Sequence, residues 1–576
     1  MRKENYILLV SMFLLIYTMQ TYSQEIVTTQ NTLSNEQVQK LIQETEQKIN
    51  SVLKKEIFLP GLAVAVVSKD KVMWIKAFGY RDDLRSQRTD TNTIYSLQSI
   101  SKTITIAGLM IAVQEGLINL DVPIKTYLPD FHIQTRFSDD PMTSITIRHL
   151  LSMTSGLTHD APVGNNADPF TPSNKDHIQS ISKTWLRFRT GERYEYSNLG
   201  IELAAYILET IIHKPFTEYI REKVLEPLGM NRSTYDAERI RKDENRAIGT
   251  NKNFEQVPLN NPYFAAGGVY ASINDMARFL LFQLNDGKIN GNQLINEQMI
   301  KQMRTIPFPM KDQVAGYGLG MFIGYYHLGG KDVRWLAHGG GGFGFQCQMK
   351  WLPDLGYGVI VLTNSSDQDY GQERIVEDIL LQIVEQLTGK KNLGPSDWLN
   401  RHPTSQLVDS TYLPINLVGR YNGTNDDWFF LIKEDKFGYA NGNSFEPLIA
   451  ISQTEFKSKR YLYRFICDAD GTPISFIRTY DGMVWLLGKS DTELKGPNKK
   501  EWLKYTGSYV RKRFGVGEKF YNVSVKNGWL HFEGMGQDFR LTEYLPGLFF
   551  TPDGEAIDFR NPVPTFRNIN LYKECN

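Results

Sequence analysis

Segments with strand-like patterns, one of them the continuous apolar run over residues 62–67, lie near both ends of the first 390 residues of this chain. Residues 62–67 and 72–78 stand near the start, and residues 346–352 and 357–362 stand near the end. Between them, apolar residues recur three and four positions apart, which is typical of helices. Strands at both ends of a helical middle predict an α+β fold, in which one mixed sheet has its terminal strands as neighbours beside a helical lobe. The helical patterns cover residues 35–54, 101–115, 147–152, 201–212, 216–224, 275–284 and 373–387.

The pattern changes after residue 390. We predict a first domain over residues 24–390, a linker rich in Gly, Pro and Ser over 391–412, and an all-β, barrel-like region over 413–576. The last region has short alternating strands rich in aromatic residues and valine, separated by tight-turn dipeptides. Those dipeptides are Asn441-Gly442, Asp470-Gly471, Asn527-Gly528 and Asp553-Gly554.

Two similar segments in the all-β region indicate a weak internal repeat. Residues 417–421 read Leu-Val-Gly-Arg-Tyr, and residues 505–509, which begin 88 positions later, read Tyr-Thr-Gly-Ser-Tyr. The repeat predicts either two β-barrel units or two halves of one barrel.

Charge and cysteine content exclude several classes of function. Lys plus Arg and Asp plus Glu both number 64, so the chain offers no electrostatic footprint for nucleic acid or an anionic membrane. Cys347, Cys467 and Cys575 are too few for a disulfide framework, and no zinc-binding spacing occurs, so neither a metal nor another cofactor is expected. Cys467 and Cys575 could pair, or could pack as free thiols.

The first 23 residues resemble a cleavable export signal. Arg2 and Lys3 precede an apolar run over residues 7–17, and Ser23 ends the segment with a small side chain. A membrane-spanning helix needs about 20 apolar residues, so this run of 11 disfavours an integral membrane anchor. We therefore expect a periplasmic or secreted protein, with a retained anchor as the alternative.

Ser99 and Lys102 lie three positions apart at the start of a predicted helix. This spacing places them on one face, one turn apart. At that point the helix dipole favours a developing oxyanion, and a desolvated lysine amine could take the serine proton. The spacing is also common by chance, because an N-capping serine beside a solvated lysine produces it.

Two further segments follow in the order that such chemistry needs. Tyr196 and Asn198 precede a predicted helix and offer a phenol for proton transfer and an amide for a substrate carbonyl. His338 begins a predicted strand that continues into four glycines, whose bare backbone can approach a ligand closely. Taken singly, Tyr196 could be a core tyrosine and His338 a structural histidine.

The order of these segments resembles the serine β-lactamase and penicillin-binding-protein superfamily. The resemblance is to its class C-like branch of β-lactamases, D-peptidases and esterases, and it spans roughly residues 40–385. It extends to the connecting segments at residues 145–157, 226–230 and 265–270. It implies a mixed sheet beside a helical lobe, with the site in the cleft between them. The C-terminal region resembles the lipocalin-like β domains appended to some members.

The resemblance also implies a role for each residue of the site. Ser99 is implied as the acylated nucleophile, Lys102 as its activating partner and Tyr196 as the proton shuttle. Asn198 is implied as a contact for the substrate amide. The glycine strand, at Gly340 and Gly341, is implied to line the oxyanion site, with the backbone N–H groups of Ser99 and Gly341 as donors.

The chain departs from the family pattern at His338. Many relatives carry a lysine before the strand glycine, whereas histidine is mostly neutral near pH 7. A weaker positive charge disfavours recognition of a substrate carboxylate, and with it efficient β-lactam turnover. Esters, amides and peptides then become the more plausible substrates.

These inferences together indicate an exported serine hydrolase that acts through a Ser99 acyl-enzyme on a small amide, peptide or ester. Within the family, the alternatives are a D-peptidase or an acyl transferase. Outside catalysis, the alternative is a sensor or binding module for penicillins or glycans. The expected partner is a small-molecule or peptide substrate, and the oligomeric state does not follow from the sequence.

Overall fold

The fold is taken from a computed structural model of the whole chain. The model describes residues 32–55, 59–165, 167–168, 172–252, 264–310, 313–367, 371–394, 413–422, 427–441, 444–459, 461–480, 482–489, 496–513, 516–534 and 536–574. The expected export signal, most of the expected linker and Cys575 lie outside the described residues.

The sheet at the centre of the first domain has its described strands in the order β2-β1-β11-β10-β9-β8-β7. All the described pairs of this sheet are antiparallel, so the sheet is not mixed as expected. β1 pairs with β11 in the register that places Ala65 opposite Ile360. The first and last long strands are therefore neighbours, as the apolar runs predict. The described strands of this domain are β1 (Gly61–Ser68), β2 (Val72–Gly79), β3 (Ile94–Ser96), β4 (Tyr270–Ser272), β5 (Lys288–Ile289), β6 (Asn292–Gln293), β7 (Gly316–Tyr317), β8 (Phe322–His327), β9 (Asp332–Gly342), β10 (Phe345–Leu352) and β11 (Tyr357–Thr363).

Helices cover both faces of this sheet, which explains why β1 reads as a continuous apolar run. Ala63 and Ala65 of β1 pack into the core of the helical lobe. Leu62 and Val64 point the other way, into a second core with the first and last helices. The described α-helices are α1 (Asn35–Lys55), α2 (Ser101–Gln114), α3 (Pro141–Ser144), α4 (Ile147–Leu151), α5 (Asn174–Ile181), α6 (Asn198–Ile212), α7 (Phe216–Ile220), α8 (Ala237–Lys242), α9 (Phe264–Gly267), α10 (Ile273–Leu284), α11 (Glu297–Met303) and α12 (Gln372–Thr388).

The α+β prediction is confirmed, and two nearly closed β-barrels follow the first domain. The described strand orders are β15-β14-β13-β12-β20-β19-β18-β17-β16 and β24-β23-β22-β21-β29-β28-β27-β26-β25, so both barrels have the same topology. Each barrel is filled by its own aromatic core.

The first barrel comprises β12 (Gly419–Asn422), β13 (Asp427–Lys433), β14 (Lys436–Asn441), β15 (Ser444–Pro447), β16 (Ile449–Ala450), β17 (Glu455–Lys457), β18 (Leu462–Cys467), β19 (Pro473–Tyr480) and β20 (Met483–Lys489). The second comprises β21 (Gly507–Arg513), β22 (Val516–Lys526), β23 (Trp529–Gly534), β24 (Gln537–Arg540), β25 (Thr542–Leu545), β26 (Leu548–Phe550), β27 (Ala556–Asp558), β28 (Thr565–Phe566) and β29 (Ile569–Lys573).

One local prediction is wrong. His338 does not begin its strand, because β9 starts at Asp332 and pairs with β8 along residues 332–337 before it reaches the glycines. His338 consequently lies inside the sheet and is almost completely buried.

Candidate active site

Ser99 lies on a tight turn between β3 and α2. A single 3₁₀ turn over Gln98–Ile100 leads directly into the helix, and Ser99 keeps partial exposure while both its neighbours are buried. Gln98 has a φ of 49°, in the left-handed region that is uncommon for a residue with a side chain. Its amide donates to the Ser96 hydroxyl at 2.8 Å, which helps hold the turn. Strain of this kind clusters at functional sites.

Lys102 lies one helical turn beyond Ser99 and is fully buried. Its Nζ is 3.1 Å from the Ser99 Oγ and donates to the Ala266 carbonyl at 2.8 Å. Burial lowers the pKa of Lys102 to about 7, although the nearby Glu202 carboxylate acts in the opposite direction. A lysine with this pKa is substantially neutral at physiological pH, and can therefore accept a proton.

Glu202 is a buried carboxylate that the sequence analysis missed. It lies on α6 and accepts the backbone N–H groups of Ala265 at 3.2 Å and Ala266 at 2.8 Å. Burial raises its pKa, whereas these hydrogen bonds and the charge of Lys102 oppose the shift. Glu202 thereby fixes the segment whose carbonyl holds Lys102. Its sequence signal is an acidic residue among apolar neighbours on a predicted helix.

Tyr196 contacts the Ser99 and Lys102 pair from the segment just before α6. The Tyr196 hydroxyl makes a side-chain hydrogen bond with Ser99, and burial raises the pKa of this phenol. Its ring centroid is 4.9 Å from the Lys102 Nζ. Asn198 is the first residue of α6 and is 6% exposed. The structure therefore brings Tyr196 against both Ser99 and Lys102.

His338 is held in one tautomer by two hydrogen bonds. Its Nδ1 is 2.7 Å from the Gly339 carbonyl, which can only accept, so Nδ1 carries the proton. Its Nε2 then accepts from the Tyr317 hydroxyl at 3.0 Å. Burial, followed by the charge of Lys102, lowers the pKa of His338 to about 3. The imidazole is thus neutral at physiological pH.

The glycines after His338 allow β9 to lie directly against the Ser99 turn. A Cβ on Gly340 would be 2.1 Å from the Leu97 carbonyl oxygen and 3.1 Å from the Ser99 nitrogen, so only glycine fits there. A Cβ on Gly341 would meet no atom within 4 Å, so this position borders open space. Gly340 therefore sets how closely the strand approaches, and Gly341 lies beside the opening.

Aromatic side chains that no sequence motif indicates pack around Tyr196 and His338. Ring centroids of Tyr317 and Phe322 lie 5.9 and 5.8 Å from that of His338. Tyr194 packs on Tyr317 at 5.6 Å, and His159 stacks on Tyr196 at 5.8 Å. Single tyrosines and phenylalanines carry no local pattern that distinguishes a site wall from a core.

A sequence model of the beta-lactamase family matches residues 46–382, which is more than half of the chain. The chain belongs to the beta-lactamase family. Protein flp of Staphylococcus aureus (strain MW2) is 25% identical over 356 residues, which cover 60% of this chain and 68% of that protein. The D-alanyl-D-alanine-carboxypeptidase/endopeptidase AmpH of Escherichia coli (strain K12) is 25% identical over 341 residues, which cover 58% and 86%.

Solved structures show the same fold. An octameric penicillin-binding protein homologue from Pyrococcus abyssi is 24% identical and has a TM-score of 0.51, over 78% of this chain and 98% of that chain. SurE, in its structure with D-Leu, is 18% identical and has a TM-score of 0.54, over 79% and 100%. The match to the family model confirms the resemblance to the serine β-lactamase superfamily, and this beta-lactamase family member is a serine hydrolase by class.

Among the described residues, no group of three or more His, Cys, Asp and Glu side chains could hold a metal ion. No helix within the described ranges has the length and apolar character needed to cross a membrane.

Proposed function

We propose that this family member is an exported hydrolase that acts on a small amide, peptide or ester through an acyl-enzyme at Ser99. The observation that carries the proposal is the fully buried Lys102 amine, which lies 3.1 Å from the Ser99 Oγ and has a pKa near neutrality. A purely structural serine–lysine pair would have no need of a desolvated amine.

In the proposed acylation step, neutral Lys102 takes the proton of the Ser99 hydroxyl as Oγ bonds to the substrate carbonyl carbon. The carbonyl oxygen becomes an oxyanion, which the N–H groups of Ser99 and Gly341 would stabilise. Losing one such donor typically costs about 3 kcal/mol. As the tetrahedral intermediate collapses, the carbon–nitrogen or carbon–oxygen bond to the leaving group breaks, and the ester to Ser99 remains.

Tyr196 is proposed to pass a proton between Lys102 and the leaving group, which its contacts with Ser99 and Lys102 support. Its raised pKa keeps the phenol protonated when it is not exchanging a proton, so it can donate to the departing amine or alkoxide. Water then attacks the acyl-enzyme with the same residues in reverse roles, which releases the acid and regenerates Ser99. Asn198, buried at the start of α6, is proposed to orient the substrate amide.

The proposed substrate class follows from the neutral His338. A neutral imidazole supplies no charge to a substrate carboxylate, and hydrogen bonds to a charged partner contribute about 1.5–3 kcal/mol. We expect the protein to process p-nitrophenyl esters and C-terminally amidated short peptides at least about tenfold faster than nitrocefin, judged by kcat/KM in a panel that includes D- and L-peptides. A clear preference for nitrocefin would contradict this assignment.

The pH dependence of the rate tests the role of Lys102. Because the neutral amine is the proposed base and its pKa is about 7, we expect kcat/KM to rise roughly tenfold per pH unit below 7 and to level off above it. The substrate is p-nitrophenyl acetate, which does not titrate, followed at the isosbestic wavelength of p-nitrophenol. A rate that is flat between pH 5.5 and 8.5 would remove Lys102 as the base.

Export and domain boundaries are part of the same proposal. Residues 1–23 are proposed as a cleaved signal that directs the protein to the periplasm or the exterior. The catalytic domain is proposed to cover residues 24–390, followed by a linker and the two barrels. The N-terminal sequence of the protein recovered outside the cytoplasm checks the signal, because it should begin at Gln24.

A further inference from the structure

A tight turn of the second barrel lies against the catalytic domain. The turn joins β26 to β27, and is closed by the Gly554 N–H bonding to the Thr551 carbonyl at 2.9 Å. Gly554 has a φ of 88°, and a Cβ there would be 2.0 Å from the Arg187 carbonyl oxygen. The backbone of this turn therefore touches the backbone of the catalytic domain, which only glycine allows.

Arg187 forms a buried cluster of ion pairs with this turn. Its guanidinium contacts Asp553 at 2.8 Å, Glu555 at 3.1 Å and Glu195 at 3.1 Å. The side chains of Arg187, Asp553 and Glu555 are 1%, 4% and 2% exposed, so these charges have left water almost completely. Through Arg187, the cluster joins Asp553 and Glu555 of the barrel to Glu195, which directly precedes Tyr196.

Further cations complete the cluster. Arg193 donates to the Asp553 carbonyl at 2.7 Å, and Arg567 lies 3.5 Å from Glu555. Burial alone would raise the pKa of Asp553, but Arg187, Arg567 and Arg193 reverse the shift and lower it. All the carboxylates have cationic partners, so removing one partner would leave an uncompensated buried charge.

A second set of contacts runs from the turn to the other side of Tyr196. Glu555 accepts a hydrogen bond from the Thr158 hydroxyl at 2.8 Å. The Thr158 carbonyl in turn accepts from the Ser197 hydroxyl at 2.7 Å. Because Ser197 stands between Tyr196 and Asn198, the barrel is connected to both ends of the segment that carries them.

We propose that Asp553 and Glu555 are positioning residues of the hydrolytic site. They act through Arg187, Glu195 and Thr158 to hold the segment over residues 195–198, so that the Tyr196 hydroxyl stays on Ser99. The inference rests on the proposed function. Its consequence is that acylation depends on the docked second barrel, although all the residues proposed to react lie before residue 345.

The test uses point variants of the full-length mature protein. Glu555→Ala removes the carboxylate, and Thr158→Val removes only the hydroxyl while keeping the shape of the side chain. A misplacement of about 1 Å can cost about 100-fold in rate. We therefore expect kcat for p-nitrophenyl acetate to fall between about tenfold and 100-fold in both variants, with KM changed less than about threefold.

Two matched variants separate positioning from general effects. Thr158→Ser keeps the hydroxyl and should therefore keep most of the wild-type kcat. Asp558→Asn breaks an ion pair with Arg560 inside the same barrel, and should leave kcat unchanged. Thermal unfolding and circular dichroism should show that the variants are folded, and if Glu555→Ala is not, Thr158→Val decides.

The proposal is overturned if kcat stays at the wild-type value in Thr158→Val and in folded Glu555→Ala, or if only KM changes. It is also overturned if Thr158→Ser loses as much rate as Thr158→Val. The proposed function fails separately, if Ser99→Ala turns over substrate at the wild-type rate.

Discussion

Replacing Ser99 by alanine is expected to abolish turnover of every substrate that the wild-type protein hydrolyses. The Ser99 hydroxyl is the partly exposed group that Lys102 and Tyr196 both contact, and alanine removes the atom that would form the acyl bond. Loss of a catalytic nucleophile can lower kcat by about 10⁶-fold, so we expect a drop of at least about 10⁴-fold. The measurement is steady-state hydrolysis of p-nitrophenyl acetate, with the uncatalysed rate subtracted.

Ser182→Ala is the matched control. Its hydroxyl bonds locally, to the Gln179 carbonyl, at the end of a helix outside the site. This variant should keep wild-type activity. Ser99→Ala protein that still turns over at more than about one hundredth of the wild-type rate would show that another residue carries the chemistry.

Replacing Lys102 is expected to have the next largest effect. A general base typically contributes 10²–10⁴-fold, so Lys102→Ala should lower kcat by about 100-fold or more. Lys102→Met should do the same while filling the space of the lysine stem. Burial lowers the pKa of Lys102 to about 7, so folding disfavours its protonated form, and removing the amine should not destabilise the protein strongly.

The readouts for Lys102 are kcat and the midpoint of thermal unfolding. Lys125→Ala is the control, because Lys125 is half exposed and pairs with Asp140 on the surface. Surface ion pairs contribute about 0–1 kcal/mol, so this variant should match wild type in both measurements. Wild-type turnover by folded Lys102→Met protein would exclude Lys102 from the mechanism.

The sheet of the first domain can be predicted from the sequences of its strands. The run over residues 62–67 is apolar on both faces because helices cover both sides of β1, and this property identifies a central strand. The pairing of β1 with β11 is the one expected when the strands on either side of a helical region belong to one sheet. His338 lies inside β9 and not at its start, because residues 332–337 already pair with β8.

The contacts within the site can be predicted from the sequence only in part. Ser99 and Lys102 are neighbours on one helical turn, so their spacing predicts their contact. Glu202 and Tyr317 act through partners that are distant in the chain, Ala266 and His338, and no local periodicity encodes those pairs. The pKa of Lys102 likewise depends on burial by the whole lobe.

The turn at Asp553-Gly554 shows the same limit most clearly. Its sequence predicts a tight β-turn between two strands, which the structure contains. The partner of the following Glu555 is Thr158, which lies 397 positions earlier. A local pattern specifies the turn itself, but the surface on which it docks is set by the packing of separate domains.

Peptide mapping of the covalent adduct tests the central claim most directly. The wild-type protein, incubated with a fluorophosphonate or a penicillin and then digested, should show one added group on the peptide that contains Ser99. The Ser99→Ala protein treated identically should show none. An adduct on a different residue, or equal labelling of the two proteins, would contradict the assignment of Ser99 as the nucleophile.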